Sequence, residues 1–177
     1  EELRRANADV RAEQRARDNY YDELETVAAD MLATIGHTDG PLTRQDTADL
    51  AAAMGFTLRY VDDLPPSTRS ITDRANDLIY LPRQAPTADP RSALLKALAT
   101  ATLGRPEPQN YADLLRQRVE TNYVVGALLV PERAAVDDLT AAKRAREIAV
   151  EDLRDRFAVS YETAAHRLTN LITHHLG

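Results

Sequence analysis

Cysteine and tryptophan are absent from these 177 residues, and phenylalanine occurs only twice. The first absence excludes disulfides and thiolate chemistry within the chain and fits a reducing compartment such as the cytoplasm. The second leaves seven tyrosines as the main aromatic surface available to a ligand. No stretch approaches about 18 uninterrupted apolar residues, so no membrane span is expected. A basic excess is missing as well: 22 lysines and arginines face 28 aspartates and glutamates, for a net charge of -6. Bulk attraction to nucleic acid is therefore not written into the composition. A glycine-rich phosphate loop and a Ser-x-Gly nucleophile elbow are both lacking. The start, EELRRANADVRAEQRARD, is charged throughout, carries no signal-peptide pattern and has no initiating Met, so the chain reads as a fragment of a longer protein.

What is present predicts one compact domain with a helical extension, since 44% of residues are hydrophobic. Residues 1–35 read as helix, with 1–19 a solvated linker or dimerisation helix and 20–177 the domain proper. A loop follows at 36–41, then a short helix capped by Thr43 and ended by Met54-Gly55. Strands are expected at 56–61, 68–72 and 78–81, with a turn at Asn76-Asp77. The central helix spans 89–103, with Asp89 as N-cap, Pro90 in the first helical position and Gly104 as the stop. Its Leu94, Leu95, Leu98 and Ala101 should face the core. Asn110 caps a long helix running to about Val130, where Pro131 stops it. Helices over 132–146, 150–157 and 160–175 complete an α+β, mostly helical fold with a small antiparallel sheet.

Two constellations bear on chemistry. The tail, VEDLRDRFAVSYETAAHRLTNLI, has the shape of a helix-turn-helix, yet its second helix offers only Arg167 beside Glu162, so DNA readout is not favoured. The histidines are His37, His166, His174 and His175. The adjacent pair projects about 100° apart on a helix, and His166 is read as having no acid at ligand spacing, so no metal site is expected. Lys96 and Thr100 stand one turn apart on the central helix, and Arg116, Glu120 and Tyr123 share a side of the next. If the two helices pack, these five line a cleft; otherwise Lys96–Glu120 or Arg116–Glu120 is a solvated pair worth about 0–1 kcal/mol. Leu115, Val119, Asn122, Gly126 and Leu129 form a separate stripe on the same helix.

The segment RVETNYVVGALLVPE (118–132) resembles the part of ImmA/IrrE-type metallopeptidases, a zincin-like fold, that follows their H-E-x-x-H helix. LLKALATATLG then aligns with that helix. The resemblance places Glu120 at the third metal ligand, Lys96 and Thr100 at the two histidines, and Ala97 at the catalytic glutamate. Each departure removes chemistry, which implies a peptidase fold with neither metal nor activity. FAVSYETAAHRLTNLITHHLG is similar to a tail segment of the short-chain fatty acyl-CoA regulators of actinobacteria, the PrpR/RamB-like transcription regulators. That resemblance covers about residues 20–177. It implies a sensor of propionyl-CoA-like effectors controlling propionate and fatty-acid catabolism, coupled to a separate DNA-binding domain and acting as a homo-oligomer. The phosphates of coenzyme A need cations, for which Arg44, Arg69, Arg74, Arg83, Arg91, Lys96 and Arg116 are candidates. Tyr60, Tyr80 and Tyr123 are candidate ring surfaces or hydroxyl donors, Tyr123 foremost; Glu120 and Thr100 complete the expected site. The rivals are an interaction or dimerisation module with no small-molecule ligand, and an active hydrolase, for which the sequence offers neither metal ligands nor a nucleophile.

Overall fold

The computed structural model, which describes residues 1–84 and 89–177, contains eight helices and a three-stranded sheet among those residues. Residues 1–35 form two helices rather than one: α1 (Glu2–Ala16) and α2 (Asp22–Ala33). The break lies at Asp18 and Asn19, which adopt left-handed φ values of 52° and 57°. Asp and Asn tolerate that conformation better than other non-glycine residues. α1 buries only Ala6 and Val10, one turn apart, and packs on α5. Three acids in the first turn of α2 suit its dipole, and Leu24, Ala28, Met31 and Leu32 give it a core-facing stripe.

Helix α3 (Arg44–Ala53) opens on a full capping box: Thr43 Oγ1 accepts the Asp46 N–H, and Asp46 accepts the Thr43 N–H. The strands are β1 (Thr57–Val61), β2 (Ile71–Asp73) and β3 (Leu78–Pro82). The sheet is mixed, not antiparallel. Its order is β1-β3-β2, with β1 parallel to β3 and only β2 antiparallel to it. The turn at Asn76-Asp77, with Asp77 at φ 53°, pairs β2 with β3 as a hairpin. The long connection through Pro65 and Pro66 carries the chain past β3, so β1 joins its other edge in parallel. β2 is also shorter than expected, which leaves Arg69 on the β1–β2 loop.

Helix α4 (Ser92–Leu103) starts later than its Asp-Pro signal suggests. Asp89 does not cap it; its carboxylate accepts the Arg91 backbone N–H and grips the Arg91 guanidinium at 2.8–2.9 Å. Gly104, at φ 56°, ends the helix as the pattern implies. Leu94, Leu95 and Leu98 are buried, whereas Ala101 is only half-buried. α5 (Tyr111–Leu129) is capped by Asn110, whose side-chain oxygen accepts the Asp113 N–H at 2.9 Å. α6 (Glu132–Ala145), α7 (Val150–Phe157) and α8 (Tyr161–Leu176) follow. Leu95, Leu98, Val124, Leu128, Phe157 and Leu171, all fully buried, join α4, α5, α7 and α8 in one core.

The α7–α8 turn rests on Ala158 at φ 51°. Left-handed backbone costs a non-glycine residue about 1–2 kcal/mol, and glycine gives back part of that through unfolded-state entropy. Ala158→Gly should therefore stabilise the fold by about 0.5–1 kcal/mol in urea denaturation. A destabilised variant would contradict this.

Candidate functional site: a cavity between α4, α5 and α8

Helices α4 and α5 pack together, as a shared cleft requires, and α8 packs on α5. With Gln14 of α1 and Arg69 of the β1–β2 loop they enclose a hollow of about 520 Å³. Lys96 and Ala93 come from α4; His166, Arg167 and Asn170 come from α8. The α5 wall is the stripe Val119, Asn122, Gly126 and Leu129, joined by Val125 and Tyr123. The second α5 side therefore contributes Tyr123 alone. A smaller hollow of about 120 Å³ shares Arg69 and Ala93 with the first and is lined by Arg44, Arg83 and Tyr60.

Helix register and the docking of α1 explain where the other expected residues stand. Arg116 turns to Glu13 of α1 in a two-pronged contact at 2.7–3.2 Å. Glu120 accepts from Arg105 at 2.7 Å, so neither solvated pair drawn from periodicity forms. Both observed pairs are substantially exposed and worth about 0–1 kcal/mol. Thr100 lies on the exposed side of α4 and lines neither hollow. Tyr80 lines neither because β3 alternates: Ile79 and Leu81 face the core, and Tyr80 lies on the opposite face. Arg91 is an internal staple, donating at 2.7 Å to the carbonyls of Leu42 and Ala158. Arg74 donates at 3.5 Å to Ala101 O, and Arg83 to Asp62 at 3.1 Å.

Tyr123 and Arg167, which line this hollow, belong to an ion-pair network that runs behind it. Arg167, with no exposed surface, donates to both Glu25 oxygens at 2.6 and 2.8 Å and to Val130 O at 2.9 Å. The Tyr123 hydroxyl donates to Glu25 at 2.6 Å and accepts the Tyr21 N–H at 3.2 Å. Its hydrogen-bonding capacity is thus turned inward, and the ring is what Tyr123 offers the cavity. Burial draws the Arg167 pKa down, but the Glu25 hydrogen bonds and charge outweigh it, and the net shift is upward. Burial is also the main cause raising the Tyr123 phenol, followed by the Glu25 charge. Tyr20 is raised by burial and by its 2.5 Å hydrogen bond to Glu132.

Both phenols hold protons in the fold that the unfolded chain releases near pH 10, approximately the ordinary tyrosine value. The stability they contribute is complete below about pH 10 and declines as pH rises above it. An ultraviolet titration should find Tyr20 and Tyr123 ionising only with loss of helical signal. Seven tyrosines titrating together in folded protein would contradict it.

Charge separates this cavity from a hollow of similar size, about 550 Å³, between α2 and α6. That one is lined by Glu25, Asp39, Glu132 and Asp137 against Arg133 and His37. The first holds Arg69, Lys96 and the paired Arg167 against Glu162. Arg44, Arg69 and Lys96 have no carboxylate partner among the described residues. The lining of the first hollow is thus the better suited of the two to an anion.

Glu162 proves to be an acid one turn from His166, with its carboxylate 3.6 Å from Nε2, but both side chains are largely exposed. Among the described residues no group of three His, Asp or Glu side chains could hold a metal ion. No described helix is long and apolar enough to cross a membrane.

No family model matches the chain, and no curated protein does. Among solved structures, a Mycobacterium tuberculosis transcriptional regulator superimposes with a TM-score of 0.65 at 22% identity. The two share a fold. The match covers 92% of this chain and 51% of the regulator, so this chain spans about half of that protein's length.

Arg167, Glu25 and Gly126 were not among the expected site residues. Glu25 and Arg167 lie 142 positions apart and belong to helices whose packing no local pattern reveals. Arg167, weighed as a base for DNA readout, is fully buried and unavailable for it.

Proposed function

We propose that this chain is the ligand-sensing domain of a cytoplasmic transcriptional regulator and binds a short-chain acyl-CoA without catalysis. The supporting observation is the pair of adjoining hollows, in which Arg44, Arg69 and Lys96 have no carboxylate partner among the described residues, in a chain of net charge -6. Arginines clustered at a concavity suit the phosphates of coenzyme A, and the Val119, Val125 and Leu129 wall suits a short acyl chain. Tyr123 contributes its ring. The positions that the peptidase resemblance assigns to imidazoles and a general base hold Lys96, Thr100 and Ala97, so the cleft binds and does not hydrolyse. DNA is contacted by a separate domain of the full-length regulator. Calorimetry tests this: propionyl-CoA and coenzyme A should give saturable heat at micromolar concentrations. No heat at high micromolar ligand would leave the interaction-module reading in its place.

A further inference from the structure

Gly126 stands inside α5, where glycine is less favourable than alanine. Nothing in the fold requires it. Its φ lies outside the left-handed range, and a Cβ built there would meet only Arg167 Cδ at 3.9 Å, an ordinary contact. Neither backbone strain nor close packing accounts for the missing methyl group. What the glycine does is leave the α5 wall of the cavity without a side chain between Val125 and Leu129.

We propose that Gly126 determines specificity, setting the length of the apolar chain that the cavity accepts. The proposal rests on the acyl-CoA reading and adds a location to it. The cations come from α4, α3 and the β1–β2 loop, whereas the apolar wall comes from α5. A thioester held by its phosphates at Arg44, Arg69 and Lys96 points its acyl end toward Gly126. The terminal carbons then rest on the Gly126 backbone between Val125 and Leu129.

The test is calorimetry of wild type and Gly126→Ala with coenzyme A, acetyl-CoA, propionyl-CoA and butyryl-CoA, alongside thermal unfolding. Alanine should raise the unfolding midpoint by about 2–4 °C, because it is the better helix former. Coenzyme A affinity should not change. Affinity for the longest acyl chain that wild type binds should fall about tenfold or more, the effect of one misplaced methyl-sized group in an apolar pocket. Gly126→Leu should extend the loss to shorter chains. Equal affinities for all four ligands in wild type and Gly126→Ala would overturn the glycine's role while leaving the acyl-CoA reading intact. An equal loss across the series, coenzyme A included, would do the same by showing a general disturbance. Failure of wild type to bind any of the four would overturn both.

Discussion

Replacing Glu25 with alanine should destabilise the protein by about 3–5 kcal/mol, the cost of stranding a buried charge. Arg167 and Glu25 are 0% and 3% exposed, and the pair is closed by hydrogen bonds to Val130 and Tyr123. Surface pairs such as Arg17–Glu23, at least half exposed on both sides, are worth about 0–1 kcal/mol by comparison. Replacing both partners with apolar residues, Glu25→Leu with Arg167→Met, should recover at least half of the loss, because no uncompensated charge remains. Recovery should stay incomplete, since the Tyr123 hydroxyl and the Val130 carbonyl lose their partners. Urea denaturation of wild type and the two variants separates these cases. A Glu25→Ala midpoint equal to that of wild type would show that the network contributes nothing to stability.

Arg69→Ala should weaken acyl-CoA binding by about 10- to 100-fold, the range expected for losing a charge-assisted hydrogen bond. Arg69 is chosen because it lines both hollows and has no carboxylate partner among the described residues. Lys96→Ala, confined to the larger hollow, should cost about tenfold. Arg116→Ala and Thr100→Ala should leave affinity unchanged, since neither residue lines a hollow. Added salt should weaken the wild-type interaction more than that of Arg69→Ala. An Arg116→Ala loss matching that of Arg69→Ala would place the ligand elsewhere on the molecule.

Local chemistry made much of this fold legible. Asn110, Pro131, Gly104, Thr43 and Ser160 mark helix ends because caps and stops act within a few residues. The meeting of Lys96 and Tyr123 at one cavity follows from helical spacing once α4 and α5 pack. Long-range choices were not legible. Whether β1 joins β3 in parallel depends on the path of a long loop, and strand pattern carries no information on that. Helical periodicity placed Arg116 and Glu120 beside Tyr123, but Arg116 turns to Glu13 because α1 docks there. The break at Asp18 and Asn19, which lets α1 fold back, looks in sequence like any polar turn of a helix.

Methyl NMR of the labelled protein titrated with propionyl-CoA tests the central claim most directly. The largest shifts should fall on Ala93, Val119, Val125 and Leu129, while Leu32 and Ala134 in the α2–α6 hollow stay unmoved. Shifts centred on Leu32 and Ala134, or none at saturating ligand, would contradict it.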